Sequence, residues 1–231
     1  MLVKNWMSAP VVTIDADDSM ERSIELMKEH CIKTLPVMKN DRLVGIVTDR
    51  DLKRASASDA TTLSVYELFN LLAKVKIKKI MTKDPITLRA DFTIEEAANL
   101  LRNKRISGAP VVDGHNRLVG IITKDDLFKV LSTITGVDQR GIQFAFRVED
   151  RPKAVRELTD IIRKYEGHIV SLYSTYEGVP EGYRHIFIRA YKVNREALDK
   201  LKEDLEEKAI VLYMIDHRFS TRVVHNMNFQ Q

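Results

Sequence analysis

Two short runs carry residue types at a spacing that could hold a small polar ligand. Gly45-Ile46-Val47-Thr48-Asp49-Arg50-Asp51 and Gly120-Ile121-Ile122-Thr123-Lys124-Asp125-Asp126 each place a threonine three positions after a glycine and an aspartate three further on. The glycines fall in apolar, β-rich runs, where a missing Cβ admits close approach of backbone or ligand. The threonines stand where strand gives way to helix, a natural N-cap. Asp51 and Asp126 then lie in the first helical turn beside the capping hydroxyl, where a carboxylate can accept hydrogen bonds from both hydroxyls of a ribose. The helix N-terminus offers unused N–H groups and a positive dipole end to a phosphate. The same spacing also serves as a plain cap, so one copy would leave the two readings level. Two copies in matching surroundings favour ligand sites.

The elements that position these runs repeat every 74 to 75 residues. Trp6-Met7-Ser8 returns as Ile80-Met81-Thr82, and Leu35-Pro36-Val37 as Ala109-Pro110-Val111. In each unit a short extended segment, Val11–Ile14 or Pro85–Leu88, precedes a capped helix. Ser19 with Arg22 and Thr93 with Glu96 occupy N-cap and N3, and only the second pair can close a capping box. Met20, Ile24 and Met27, then Ile94, Ala97, Ala98 and Leu101, recur at helical spacing. Two β-rich runs follow, Leu35–Met38 with Leu43–Val47 and Ala109–Val112 with Leu118–Ile122, each pair joined by a polar turn. A second helix closes each unit, so the order is β-α-β-β-α.

Across roughly residues 1–135, the doubled glycine-threonine-aspartate motif with its upstream hydrophobic-Pro-Val run resembles the CBS-domain family. The resemblance implies two repeats packed as a pseudo-two-fold pair with two clefts for an adenosine nucleotide. It implies one cleft of Thr48 and Asp51 with Thr82, Thr87, Gly108 and Ala109, and another of Thr123 and Asp126 with Ser8, Thr13, Thr34 and Leu35. Adenine would lie between apolar walls. Lys33, Arg50, Arg105 and Lys124 are the candidate phosphate contacts, although surface charge is the commoner role for such residues.

Between the repeats, Ala55–Thr62 reads as a loop and Leu63–Leu72 as an amphipathic helix. After Thr135–Gly141, a hinge-like run with two glycines, the pattern restarts. Ile142, Phe144, Phe146 and Val148 alternate as a strand; Asp150-Arg151-Pro152 opens a helix; Gly167–Tyr173 and Tyr183–Tyr191 are strands; Leu198, Leu201 and Leu205 mark a helix; Ala209–Ile215 is a last strand. That βαββαβ order is ferredoxin-like, and with the Asp-Arg-Pro turn it resembles an ACT domain. The resemblance implies an amino-acid effector at Asp150 and Arg151, but Lys153 stands where that family usually has glycine. Dimerisation, or some other effector, is an equal reading. The whole order is similar to the acetoin-utilisation B-type family. The expected class is mixed α+β and α/β: a first repeat over 1–55, a linker with helix over 56–79, a second repeat over 80–136, an ACT-like domain over 141–217, and a polar tail over 218–231.

The 231 residues carry 37 Lys and Arg against 33 Asp and Glu, with the signs interspersed. That pattern argues for a solvated surface and against a nucleic-acid footprint. No apolar stretch is long enough to span a membrane, and the N-terminus lacks the apolar core of a signal peptide. Cys31, the one cysteine, fits a reducing, cytoplasmic setting and reads as a small buried hydrophobe at a helix end. His30, His115, His168, His185, His217 and His225 are scattered, with no metal spacing, catalytic triad or Walker loop among them; His168 and His185 could be cross-strand neighbours. The expectation is a homodimeric, non-enzymatic regulator that requires no cofactor and takes an adenosine nucleotide as its regulatory ligand, with an unidentified protein partner. An amino-acid-responsive regulator and a nucleic-acid-binding regulator are the alternatives.

Overall fold

The computed structural model describes residues 1–59 and 74–225. The helix expected over Leu63–Leu72 lies outside the described residues. The chain divides into two compact units between Phe128 and Lys129.

In the first unit, one repeat runs β1 (Ile14–Asp15), α1 (Met20–Glu29), β2 (Thr34–Lys39), β3 (Arg42–Thr48), α2 (Asp49–Asp59). The other runs β4 (Thr82–Lys83), β5 (Leu88–Arg89), α3 (Ile94–Asn103), β6 (Gly108–Val112), β7 (Leu118–Thr123), α4 (Lys124–Thr135). The expected extended segments shrink to two-residue parallel strands, β1 on β2 and β5 on β6. The caps form as the residue types require. Ser19 accepts from the Arg22 amide, and Thr93 with Glu96 closes both bonds of a capping box. The first core is built from one face of each element: Met20 and Met27 of α1, Leu35 and Val37 of β2, Val47 of β3 and Leu52 of α2.

The two repeats exchange their leading segments. Thr82 and Lys83 pair antiparallel with Ile46 and Gly45, which extends the first repeat's sheet to four strands. Ser8 forms the matching bridge to Ile121, with bonds of 2.9 and 3.1 Å. Val3 and Lys4 donate to the carbonyls of Phe92 and Ala90, as Ile77 and Lys78 donate to Asp18 and Ala16. The exchange has the two-fold character expected of a repeat pair. Lys39 and Lys78 both reach Asp17, the latter at 2.7 Å, and hold its carboxyl down at about 2. The docked segment therefore keeps this tie above the usual carboxylate range and loses it only as pH falls through about 2.

Two expectations for this unit change. Ala55–Asp59 continue α2 instead of opening a loop; alanine and serine are tolerated in a helix, and Ser56 Oγ bonds back to the Leu52 carbonyl. Cys31 is exposed, not buried. The chain leaves α1 through a left-handed residue there, φ 53°, which turns the side chain out; Arg105 occupies the same place after α3 with φ 55°.

The second unit runs β8 (Ile142–Glu149), α5 (Ala154–Lys164), β9 (His168–Thr175), β10 (Tyr183–Tyr191), α6 (Leu198–Glu206), β11 (Ile210–Asp216), β12 (Thr221–Val224). The sheet order β12-β11-β8-β10-β9, antiparallel throughout, is the ferredoxin-like arrangement with one added edge strand. Phe144 and Phe146 of β8 and Ile186 and Ile188 of β10 meet Leu158 and Ile162 of α5 and Leu201 and Leu205 of α6. On the other face Tyr173, Phe187 and Tyr213 form a row, with ring centroids 5.2 and 6.4 Å apart. The last residues of α4, from Lys129 on, belong to this unit, and within it the Thr135 carbonyl accepts from Ser171 Oγ at 3.0 Å and Arg189 Nε at 2.8 Å. The cation there complements the helix dipole. Residues 221–224 of the expected tail are the added strand, paired with Tyr213–Asp216. His168 and His185 are not neighbours, because the register sets His168 against Tyr191 and His185 against Thr175.

Candidate functional site

Each threonine-aspartate pair forms a closed bracket at a helix N-terminus. The Thr48 amide and Oγ1 both donate to Asp51 Oδ2, at 3.0 and 2.7 Å, and the Asp51 amide returns a bond of 3.3 Å to Thr48 Oγ1. Thr123 and Asp126 repeat this at 2.8, 2.7 and 3.3 Å. The capping role is therefore real in both copies. It is achieved with one carboxylate oxygen, and the other oxygen distinguishes the repeats. Asp51 Oδ1 is met by Arg54 at 2.7 Å. Among the described residues Asp126 Oδ1 meets no cation. Arg54 had no place in the sequence reading, although its spacing of three from Asp51 is the signal for a same-face helix pair.

The segment exchange brings residues of the opposite repeat alongside each bracket. Thr82 pairs with Ile46, two positions from Thr48, and Ser8 bridges Ile121, two positions from Thr123. Both lie exposed, and Thr13 and Thr87 are half-buried. Thr34, Leu35, Gly108 and Ala109 are buried strand residues. Register places Thr34 opposite Thr48 and Gly108 opposite Thr123, so each stands beside the threonine of its own repeat, where the resemblance had grouped it with the other's. Gly108 leaves room for its partner: a Cβ there would meet Thr123 Cγ2 at 3.1 Å.

The motif glycines have a steric reason of their own. A Cβ on Gly45 would lie 2.5 Å from Met81 Sδ, and one on Gly120 would lie 2.2 Å from Met7 Sδ. Each glycine therefore admits the methionine of the exchanged segment, not a ligand directly. Lys33, Arg50, Arg105 and Lys124 are all exposed, and among the described residues none has an ion-pair partner. Asp49 with Asp51, and Asp125 with Asp126, put two carboxylates in each helix's first turn; these already answer the dipole that was expected to serve a phosphate.

Away from the brackets, an apolar groove of about 540 Å³ between α1 and α2 is lined by Ile24, Met27, Ile32 and Leu52. In the second unit, a more polar pocket of about 520 Å³ lies at the turn after β8, lined by Arg147, Glu149, Arg151, Tyr183, Glu206 and Lys208. Arg151 is held there by both oxygens of Glu157, at 2.8 and 2.6 Å, and Asp150 lies 3.4 Å from Arg184. Both proposed effector residues thus have protein partners. Lys153 adopts φ 76°, the left-handed geometry that glycine takes without strain, and α5 begins at Ala154, two residues beyond Pro152. Among the described residues no group of three or more His, Cys, Asp or Glu could hold a metal ion, and no helix is long and apolar enough to cross a membrane.

Comparison with known proteins adds the following. A family model described as CBS domain matches residues 3–58 and 77–133. A CBS domain-containing protein of Dictyostelium discoideum is 35% identical over 132 residues, covering 57% of this chain and 91% of that one. The inosine-5′-monophosphate dehydrogenase of Methanocaldococcus jannaschii is 38% identical over 120 residues, which are 52% of this chain and 21% of the enzyme; the chain spans about a fifth of that relative. A CBS domain pair solved in complex with 5′-methylthioadenosine and S-adenosyl-L-methionine is similar with a TM-score of 0.50 and 31% identity, over 57% of this chain and 96% of the other.

Proposed function

The chain belongs to the CBS-domain family, and from that premise we propose that its first unit senses adenosine nucleotides and related adenosine ligands, acting through assembly or a partner and not by catalysis. The observation that carries this reading is the threonine-aspartate bracket, built twice, each time beside a segment from the opposite repeat. Such a bracket offers carboxylate oxygens to a ribose and buried strand backbone to an adenine, with exposed lysine or arginine within the same repeat. The similar domain pair solved with two adenosine ligands supports that ligand class. A thermal-shift panel of AMP, ADP, ATP, S-adenosylmethionine and NAD tests it. A ligand at a hundred times its dissociation constant should add about 2.7 kcal/mol of apparent stability; no shift with any of the five would remove the reading.

The signal in this proposal passes through a homodimer. Phe128, Leu131 and Ile134 of α4 are exposed at a spacing that sets them along one side of the helix, and a self-complementary apolar stripe is most simply covered by a closed two-fold pair. A ligand then changes the assembly only so far as it binds two geometries unequally. Light scattering at micromolar concentration should give a mass near twice 26.6 kDa, with and without nucleotide; a monomer under both conditions would exclude this route. The exposed, free Cys31 fits a reducing, cytoplasmic setting. A second reading, an amino-acid-responsive regulator acting through an ACT-like second unit, draws on the pocket after β8, where groups of both signs could face a zwitterion.

A further inference from the structure

We propose that the two clefts are specialised by charge: the Thr48–Asp51 cleft for adenosine ligands that carry a phosphate, and the Thr123–Asp126 cleft for adenosine ligands whose tail is uncharged or cationic. This rests on the adenosine-ligand reading above and goes beyond it by assigning a ligand class to each cleft.

The brackets are alike and their surroundings differ. In the first repeat both first-turn carboxylates are already matched by cations one turn along α2. Asp49 meets Lys53 at 3.2 Å and Asp51 meets Arg54 at 2.7 Å. Arg50 is left over as an exposed cation, and so is Lys33, whose carbonyl accepts from the Asp49 amide at 3.0 Å. The local balance is positive. The Arg54 side chain is 76% exposed, and exposed pairs of this kind are weak, so an arriving phosphate or ribose hydroxyl can draw the guanidinium off Asp51.

The second repeat changes each of these positions. Phe128 replaces Lys53 and Lys129 replaces Arg54. Ser107 replaces Lys33, its carbonyl accepting from the Lys124 amide at 2.9 Å. Lys124 replaces Asp49, and Asp125 replaces Arg50. Among the described residues neither Asp125 nor Asp126 has a cationic partner. Asp126 spends only Oδ2 on Thr123 and keeps Oδ1 for a ribose hydroxyl. Over the start of α4 the charges sum to neutral, with two unmatched carboxylates at the dipole's positive end. Those carboxylates repel a phosphate and attract a sulfonium or ammonium group. The Asp49-to-Lys124 exchange taken alone would have pointed the opposite way; the matching of Asp51 by Arg54 reverses it.

The test is calorimetry on the full chain with AMP and S-adenosylmethionine as probes, each alone and then one after saturation with the other. The expected result is one tight site for each, filled without competition. Arg54→Ala, which lies outside the cap, should weaken AMP at least about fivefold and leave S-adenosylmethionine within about twofold. Asp126→Asn, which can still accept the capping bonds, should weaken S-adenosylmethionine roughly tenfold or more and spare AMP. Competition of the two probes for one site, or unchanged AMP affinity in Arg54→Ala, would overturn the specialisation while leaving adenosine binding intact. Binding of neither probe to the folded chain would overturn the adenosine reading itself, and this assignment with it.

Discussion

Replacing Asp51 and Asp126 together by alanine should reduce adenosine-ligand affinity by one to two orders of magnitude at each cleft while the chain still folds. Two effects must be separated. Loss of a charged hydrogen-bond acceptor costs about 1.5 to 3 kcal/mol of binding. Each substitution also removes the carboxylate half of a helix cap, worth about 1 kcal/mol of stability. The Thr48 and Thr123 hydroxyls still accept from the position-51 and position-126 amides, so each cap is weakened, not abolished. Asp51→Asn with Asp126→Asn separates the two, since an amide oxygen keeps the cap and gives up the charge. Calorimetry should show both double variants impaired in binding, with only the alanine pair clearly less stable. Unchanged affinity and stoichiometry in the alanine pair would eliminate the carboxylates as ribose anchors.

Phe144→Ala should destabilise the second unit by about 3 to 5 kcal/mol and leave the clefts of the first unit working. Phe144 is fully buried, and its ring stacks 6.1 Å from that of Phe146 at the centre of the sheet's helix-covered face. Removing it leaves a cavity between β8 and the two helices that the neighbouring strands cannot collapse to fill. For a unit of about this size, such a loss lowers its melting temperature by more than about 10 °C. Differential scanning calorimetry should resolve that transition from the first unit's, and adenosine ligand should still shift the first. Loss of ligand response in step with melting of the second unit would show that the two units do not stand independently.

Features set by neighbours along the chain were legible before the fold was known. The Thr93–Glu96 capping box and the brackets at Thr48 and Thr123 depend on contacts within a turn, and the strand at Ile142–Val148 shows in the alternation of Ile142, Phe144, Phe146 and Val148. The exchange of leading segments was hidden, because nothing in the period of Trp6–Ser8 or Ile80–Thr82 says which sheet those residues join. Only the family resemblance grouped Thr82 with Thr48 and Ser8 with Thr123; the register sets Thr82 against Ile46 and Ser8 against Ile121, two positions from those threonines. The resemblance did not foresee Thr34 beside Thr48 or Gly108 beside Thr123. Two misses had a usable signal. Arg54 sits at pairing distance from Asp51 along α2. Cys31 occupies the place that Arg105 holds in the second repeat, and an arginine there points to solvent. The strand at Thr221–Val224 offered only four residues, too few for alternation to stand out against a polar flank.

The exchanged segments also set an order of events during synthesis. The first repeat's sheet lacks its fourth strand until Thr82 and Lys83 have emerged. The opening residues bridge Ile121, more than about a hundred positions downstream. At about 5 to 20 residues per second, Met1–Ser8 must wait roughly 6 to 20 s for its docking strand. Through that interval Val3, fully buried in the finished fold, and Met7, destined for the space above Gly120, are exposed on the nascent chain. Closing so long a loop is entropically slow. The first unit can therefore complete itself only in one late step, when both repeats are present to receive each other's ends.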